Sequence, residues 1–214
     1  MSGLFVVFEG GDGVGKSTQV RLLADWLTSL GHEVVVTFEP GDTAAGAQIR
    51  RIVLDPATGD LAPRAEALLY AADKAHHVYE VVAPALTRGA IVLCDRYVDS
   101  MLAYQGAGRV LDLGEVTRLA WWATGDLRPD LTVLLDLDPH RAVGEIAEKD
   151  RLEGAGEDFH TRVRHHFLDL AAADPGRYLV LPARLPREEL HAAVRERLAP
   201  LLDELSAAPG RLEP

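Results

Sequence analysis

Short apolar runs alternate with amphipathic segments along most of the chain. The runs are rich in β-branched and other large apolar side chains, which is typical of strands that are buried on both faces. The segments between them place apolar residues three and four positions apart, as one face of a helix does. The pattern predicts strands at Leu4–Phe8, Val34–Phe38, Ala90–Cys94, Leu131–Leu137 and Tyr178–Leu181.

Helical segments lie between these strands and after the last one. The first carries apolar residues at Val20, Leu23 and Leu27 and stops at Gly31, because glycine commonly ends a helix. Strands that are separated by helices predict an α/β fold, a three-layer, doubly wound sandwich with a five-stranded parallel sheet. The remaining helices are predicted at Ala62–Thr87, with an interruption near Pro84, and at Leu113–Ala123, Phe159–Ala172 and Pro186–Leu205.

Length, composition and charge favour one globular domain that does not bind nucleic acid. The chain has 214 residues, of which 48% are hydrophobic, and we expect one domain over 1–205 and a frayed tail over 206–214. The formal net charge of −11 argues against nucleic-acid binding, which depends on clustered Lys and Arg. We find no membrane-spanning run and no secretory signal, and the single cysteine, Cys94, suits the cytoplasmic location that this predicts.

The glycine-rich segment after the first strand fits G-x-x-x-x-G-K-[S/T], the pattern of a phosphate-binding loop. Its glycines let backbone N–H groups turn towards phosphate oxygens, and the following helix adds the positive end of its dipole. We expect Lys16 to face solvent and bind the β- and γ-phosphates, and the Ser17 hydroxyl to bind Mg²⁺. The pattern predicts a P-loop NTPase fold that binds ATP through Gly10, Gly11, Asp12, Gly13, Val14, Gly15, Lys16, Ser17 and Thr18.

Polar residues also follow the third strand, and ligands bind at this end of the strands in parallel α/β sheets. Asp95 can hold Mg²⁺ or cap a turn, and the two roles are about equally compatible with its position. The neighbouring Arg96 favours the phosphate site, because a guanidinium can bind phosphate through two parallel N–H groups. A small acidic chain with these features, and without the Asn-Lys-x-Asp motif of GTPases, fits a kinase of small metabolites.

Five segments together resemble the bacterial thymidylate kinase family. They are Phe8–Thr18, Glu39–Gly41, Asp95–Ser100, Ala103–Gly106 and Arg128–Thr132. The resemblance implies phosphoryl transfer from ATP to dTMP, giving ADP and dTDP for dTTP synthesis. It also implies a magnesium requirement and a homodimer built on packed helices.

The resemblance implies which residues bind the acceptor phosphate and which residue belongs to a lid. Arg50 and Arg96 would bind the phosphate of the acceptor, and Asp12 would accept a hydrogen bond from the sugar 3′-hydroxyl. Arg151 would close over the ATP phosphates from a short lid around 140–156. The catalytic residues that the resemblance implies are Lys16, Arg96, Asp12 and Arg151.

The base and the sugar would be contacted by residues of two helical segments. Tyr70 would stack on thymine, Gln105 would hydrogen-bond near the base, and Tyr104 would crowd the 2′ position so that deoxyribose is favoured. Lys74 stands where the family has an arginine that contacts thymine O4, but it could instead lie on the helix surface. The acceptor site would comprise Glu39, Pro40, Arg50, Tyr70, Lys74, Arg96, Ser100, Tyr104 and Gln105.

Some positions depart from the family pattern and leave two further hypotheses open. Lys74 and Met101 replace residues that are usual beside the base, and Phe38 and Asp42 flank the Glu-Pro-Gly segment in place of arginine and glycine. A related nucleotide kinase with altered base preference is therefore one alternative. The lid segment carries few cations, so a catalytically weak nucleotide-binding sensor is another, although the intact phosphate loop counts against it.

Overall fold

The computed structural model of the chain describes residues 3–138, 152 and 156–207. The first half of the fold contains β1 (Leu4–Gly10), α1 (Lys16–Ser29), β2 (Val34–Phe38), α2 (Ala44–Leu54), α3 (Pro63–His77) and α4 (Ala83–Thr87). The second half contains β3 (Ile91–Asp95), α5 (Val98–Met101), α6 (Leu113–Ala123), β4 (Leu131–Asp136), α7 (Glu157–Ala173), β5 (Tyr178–Pro182) and α8 (Arg187–Ala207). Short helical segments of other types cover Pro56–Thr58, Val78–Val82 and Leu102–Gly108.

The five strands form one parallel sheet in the order β2-β3-β1-β4-β5. β1 lies at the centre, where Phe8 is in register with Asp95 of β3 on one side and Val133 of β4 on the other. Every residue of β1 is buried, as expected of a strand that is covered on both faces. The prediction of an α/β fold with a five-stranded parallel sheet is confirmed.

Apolar side chains form a separate core on each face of the sheet. Successive side chains of a strand point to opposite faces, so Phe5 and Val7 join the core beneath α3, α5, α6 and α7. Leu4, Val6 and Phe8 join the core beneath α1 and α8. Helices therefore cover both faces, and the loops that follow the strands meet at one edge.

The predicted strands begin and end within two residues of the observed ones, and Leu113–Ala123 is predicted without error. Besides the short turn Pro56–Thr58, two helical regions have no counterpart in the prediction. The helix α2 buries Gly46 and Val53, and it was missed although its sequence is amphipathic. The region Val98–Gly108 has the opposite character, because nearly all of it is buried and it lacks a periodic polar face.

The interruption predicted near Pro84 is a π-helical turn at Val78–Val82. Proline lacks an N–H group, and its ring clashes with the carbonyl four residues earlier in a regular α-helix. The wider π turn lies just before this position, and the chain remains helical to Thr87. Among the residues that the structure describes, no helix has the length and apolar character needed to cross a bilayer.

Candidate active site

A cleft of about 550 Å³ opens at the carboxyl ends of β1, β2 and β3. The strand order places the loops after these neighbouring strands side by side, which is why residues distant in sequence meet there. The whole acceptor set expected from the sequence lines this one cleft, together with Asp12, Leu54, Met101 and Leu152. The lining residues of that set are Glu39, Pro40, Arg50, Tyr70, Lys74, Arg96, Ser100, Tyr104 and Gln105.

The phosphate loop runs from the end of β1 to the first residue of α1. Gly10 has φ 131°, and a Cβ there would lie 2.4 Å from the carbonyl oxygen of Leu135. Gly15, which caps α1, is left-handed at φ 95°. Other residues rarely adopt these conformations, so the loop depends on glycine at both positions. The turn leads directly into the N-terminus of α1, where the helix dipole favours an anion.

Lys16 is buried, with 7% of its surface exposed, so the expectation that it faces solvent is wrong. Its ammonium donates hydrogen bonds to the carbonyl oxygens of Gly11 at 2.6 Å and Gly10 at 3.3 Å. Burial and the nearby Arg96 lower the pKa of Lys16 to about 8. The loop carbonyls therefore hold this cation in place before any phosphate is bound.

Ser17 and Asp95 meet at the other side of the loop. The Ser17 hydroxyl donates to the Asp95 carboxylate at 2.6 Å, which joins the start of α1 to the end of β3. Mg²⁺ in phosphate sites typically takes one or two protein oxygens and completes its octahedral shell with water and substrate phosphates. A hydroxyl and a carboxylate in contact, beside a phosphate loop, form a donor set that fits this ion.

Arg96 connects the phosphate loop to the acceptor side of the cleft. It forms an ion pair with Asp12 and donates to the Ser100 hydroxyl at 3.1 Å. The Tyr104 hydroxyl also donates to Asp12, at 3.2 Å. Burial opposes the charged form of Asp12, but Arg96 and Lys16 outweigh it and lower the pKa of the carboxyl. The backbone of Arg96 has φ 72°, a strained value for a non-glycine residue and a common feature of functional sites.

Glu9 lies beneath Arg96, and sequence reasoning did not identify it. Its carboxylate accepts hydrogen bonds from the backbone N–H of Tyr97 at 2.9 Å, and from the N–H of Ser100 at 3.1 Å and its hydroxyl at 2.6 Å. Burial, with the neighbouring Asp99, raises the pKa of Glu9 to about 7. The available signal was a single acidic residue in an otherwise apolar strand, directly before the glycine loop.

Lys74 is 2% exposed, so the alternative that it lies on the helix surface is wrong. It forms an ion pair with Glu39 and donates to the carbonyl oxygen of Tyr97 at 2.7 Å. The other oxygen of Glu39 contacts Nδ1 of His77 at 2.7 Å. Burial opposes the charged form of Glu39, but Lys74 and His77 outweigh it and lower its pKa. Lys74 is thus a buried cation that reaches the cleft.

The same hydrogen-bond network explains the aspartate that replaces the usual glycine at position 42. Nε2 of His77 lies 2.5 Å from the Thr37 hydroxyl, which in turn donates to the Asp42 carboxylate. Asp42 therefore ends a continuous chain of polar contacts that starts at Lys74. The chain holds the Glu39 carboxylate from the side opposite the cleft.

Arg50 reaches the cleft from α2, which the sequence analysis did not identify as a helix. Its guanidinium donates to the carbonyl oxygen of Pro40 at 2.7 Å and lies 5.7 Å from the centre of the Phe38 ring. The aromatic residue in place of the usual arginine thus supports Arg50 through a cation–π contact.

The predicted lid falls almost entirely outside the described residues, and so does Arg151. Leu152 is described, and it is a buried residue of the cleft wall.

Comparisons with known proteins point to a single family. The family model described as thymidylate kinase matches residues 8–194. A thymidylate kinase of Cutibacterium acnes is 63% identical over 203 residues, which cover 95% of this chain and 100% of the relative. A thymidylate kinase of Deinococcus radiodurans is 52% identical over 195 residues, or 90% of this chain and 94% of the relative. The crystal structure of thymidylate kinase from Ehrlichia chaffeensis matches with a TM-score of 0.77 and 30% identity, covering 92% of this chain and 98% of that chain.

Proposed function

The chain belongs to the thymidylate kinase family, and from this premise we propose how its cleft transfers the γ-phosphoryl group of ATP to dTMP. The products are ADP and dTDP, so the enzyme is a phosphotransferase of dTTP synthesis. The family matches support this function rather than the altered base preference or the nucleotide sensor. One observation carries the proposal: a single cleft beside the phosphate loop holds the whole acceptor set.

The reaction needs positioning and charge neutralisation more than proton transfer. A nucleoside monophosphate, whose second pKa is about 6, is largely dianionic at neutral pH and needs no general base. The protein must bring two anions together and neutralise the charge on the moving phosphoryl group. Lys16 and the loop amides face the donor side, whereas Arg50 and Arg96 line the acceptor side.

The proposal gives the remaining residues of the cleft roles in binding dTMP. Asp12 accepts a hydrogen bond from the 3′-hydroxyl. Tyr104, whose hydroxyl donates a hydrogen bond to Asp12, favours a sugar without a 2′-hydroxyl. Tyr70 packs against the base, and Lys74 and Gln105 hydrogen-bond to its edge. Glu39 holds Lys74 in place through their ion pair, and the Ser100 hydroxyl holds Arg96 by accepting a hydrogen bond from its guanidinium.

Magnesium is part of the proposal because of the contact between Ser17 and Asp95. These two side chains would hold the ion, directly or through water, next to the ATP phosphates. When bound, Mg²⁺ supplies positive charge that stabilises the transferred phosphoryl group.

Three further features belong to the proposal. The domain spans 1–205, and a lid around 140–156 carries Arg151 to the ATP phosphates and excludes water from them. The enzyme works in the cytoplasm, since its phosphorylated substrates do not cross membranes unaided. It is a homodimer, supported by large apolar side chains that α3, α6 and the π turn leave exposed: Leu68, Tyr79 and Trp122.

A coupled ADP-release assay with ATP and Mg²⁺ tests the function across dTMP, dUMP, UMP, CMP, AMP and GMP. We expect kcat/KM to be highest for dTMP, and turnover of dTMP no higher than that of the other acceptors would contradict the proposal.

Lys16→Ala should lower kcat by about 100-fold or more while the protein stays folded, because the charge that stabilises the transition state is lost. Near-normal turnover in this variant would refute the role of the phosphate loop.

A further inference from the structure

An ion pair between a fully buried glutamate and a partly exposed arginine lies close to the cleft without contributing to its wall. Glu66 of α3 has no exposed surface, and both of its carboxylate oxygens accept hydrogen bonds from the Arg109 guanidinium at 3.1 Å. The same carboxylate accepts a third hydrogen bond at 3.1 Å, from the side-chain amide nitrogen of Gln105. Gln105 lines the cleft, whereas neither Glu66 nor Arg109 does. The pair therefore contacts the wall of the cleft through Gln105.

The charge on Glu66 determines which end of the Gln105 amide faces the cleft. A carboxylate that is paired with arginine is ionised, and an ionised carboxylate only accepts hydrogen bonds. Gln105 must then present its NH₂ group to Glu66, which turns its carbonyl oxygen away from the ion pair. Within 3–138, 152 and 156–207, the structure gives the Gln105 amide one hydrogen bond, the one to Glu66. Its carbonyl oxygen is thus available to a ligand as an acceptor.

Lys74 supplies the complementary donor in the same cleft. Its ammonium has three N–H groups, and two of them are directed to Glu39 and to the Tyr97 carbonyl. Gln105 and Lys74 consequently offer a base edge one acceptor and one donor. Thymine and uracil match this pattern with N3–H and the 4-oxo group, whereas cytosine presents an unprotonated N3 and a 4-amino group.

Resting on the proposed function, we infer that Glu66 and Arg109 are positioning residues that orient the Gln105 amide and so select 4-oxo pyrimidine nucleotides over cytosine nucleotides. Both act through Gln105 and touch no substrate atom. An amide that could rotate freely would accept either base, because it would offer an oxygen to one and an NH₂ group to the other. The ion pair between Glu66 and Arg109 removes that freedom.

Steady-state kinetics with dTMP and dCMP test this inference in Glu66→Gln. A neutral glutamine can donate as well as accept, so the Gln105 amide is free to turn. We expect the ratio of kcat/KM for dTMP to that for dCMP to fall about tenfold or more, with most of the change in KM. Equilibrium binding of the two nucleotides, measured by calorimetry without ATP, should lose the same preference. Glu33→Gln, which makes the same change in an exposed ion pair, is the control that should keep the wild-type ratio.

The Arg109 variants decide the question if Glu66→Gln does not fold. Arg109→Lys keeps Glu66 ionised and should retain the preference for dTMP. Arg109→Met leaves Glu66 to take up a proton and donate to Gln105, so the ratio should fall. Equal losses for dTMP and dCMP, with an unchanged ratio, would overturn the inference and leave the proposed function intact. Failure of the wild-type enzyme to phosphorylate dTMP would instead overturn the function on which it rests.

Discussion

At the scale of single residues, the site is built from charges that are buried in pairs. Lys74 and Glu39 form one such pair, with side chains that are 3% and 1% exposed. Removing one partner leaves an uncompensated charge in the interior, which typically costs about 3–5 kcal/mol. Lys74→Met should therefore lower the free energy of unfolding by about that amount in urea denaturation, besides weakening dTMP binding.

Lys74→Arg keeps the charge and should lose less stability than Lys74→Met. Arg88→Met, which breaks the exposed pair with Glu33, is the control and should cost about 1 kcal/mol or less. A Lys74→Met enzyme as stable as the wild type would show that the buried pair does not support the fold.

Glu9 makes the stability of the protein depend on pH. Burial raises its pKa from 4.5 to about 7, so its contribution to stability is fully present below pH 4.5 and is lost as the pH rises through 7. This difference corresponds to about 3 kcal/mol. Denaturation of the wild type and Glu9→Gln should show the wild type losing about that much relative to the variant between pH 4 and pH 8. A stability difference that does not change with pH would contradict the assignment.

The role of a residue could be predicted only where a sequence motif indicated it. The phosphate loop and Arg96 follow from local patterns, because the residues that cooperate there are adjacent or end neighbouring strands. Glu66 and His77 have no such signal, because their partners lie 43 and 38 positions away in the chain. Lys74 differs, because the resemblance already placed it in the acceptor site, although a lysine in a helix is most often exposed.

At the scale of elements, the packing of the π-helical segment Leu102–Gly108 against α7 sets the shape of the acceptor side. A Cβ on Gly108 would lie 2.6 Å from a ring carbon of Phe159, and the Phe159 ring packs edge-on against Tyr104 of the cleft. Gly108→Ala should therefore push α7 outward, cost about 1–3 kcal/mol of stability, and raise the KM for dTMP.

Thermal unfolding and steady-state kinetics of Gly108→Ala would measure both effects. Gly176→Ala is the matched control, since a Cβ there would meet its nearest atom, on Asp174, at 3.9 Å. Equal melting temperatures for the two variants would mean that this contact does not constrain α7.

The elements that could be predicted are those whose burial is periodic. Strands buried on both faces and helices with one apolar stripe can be recognised in the sequence, as β1 and α6 show. The helix α2 was missed although it buries as many residues as α6, whereas Val98–Gly108 buries nearly all of its residues. Both missed regions carry cleft residues, Arg50 on α2 and Gln105 on the π-helical segment.

At the scale of the whole molecule, an apolar face formed by α3, α6 and the π turn is exposed to solvent in the monomer. Leu68 of α3 is 58% exposed, Tyr79 78% and Trp122 of α6 80%, and together with Leu119 they line an open groove. Monomeric proteins rarely expose apolar patches of this kind. A second copy of the chain, related by a two-fold axis, would cover each face with the same face of its partner. We therefore expect the wild type to have twice the monomer mass of 23.2 kDa in light scattering after gel filtration.

Leu68→Glu tests whether this face forms the dimer. Dimerisation would bury two glutamates without partners, one from each copy, and the cost of desolvating them should shift the protein to monomers. Leu30→Glu makes the same change at the end of α1, where Leu30 is 53% exposed and lies outside the α3–α6 face, and it should remain dimeric. A Leu68→Glu protein that keeps the dimer mass would place the interface elsewhere.

The helix α3 also carries Tyr70, Lys74 and Glu66, so monomeric Leu68→Glu should also show a raised KM for dTMP. The phosphate loop lies on other elements and should keep its affinity for ATP.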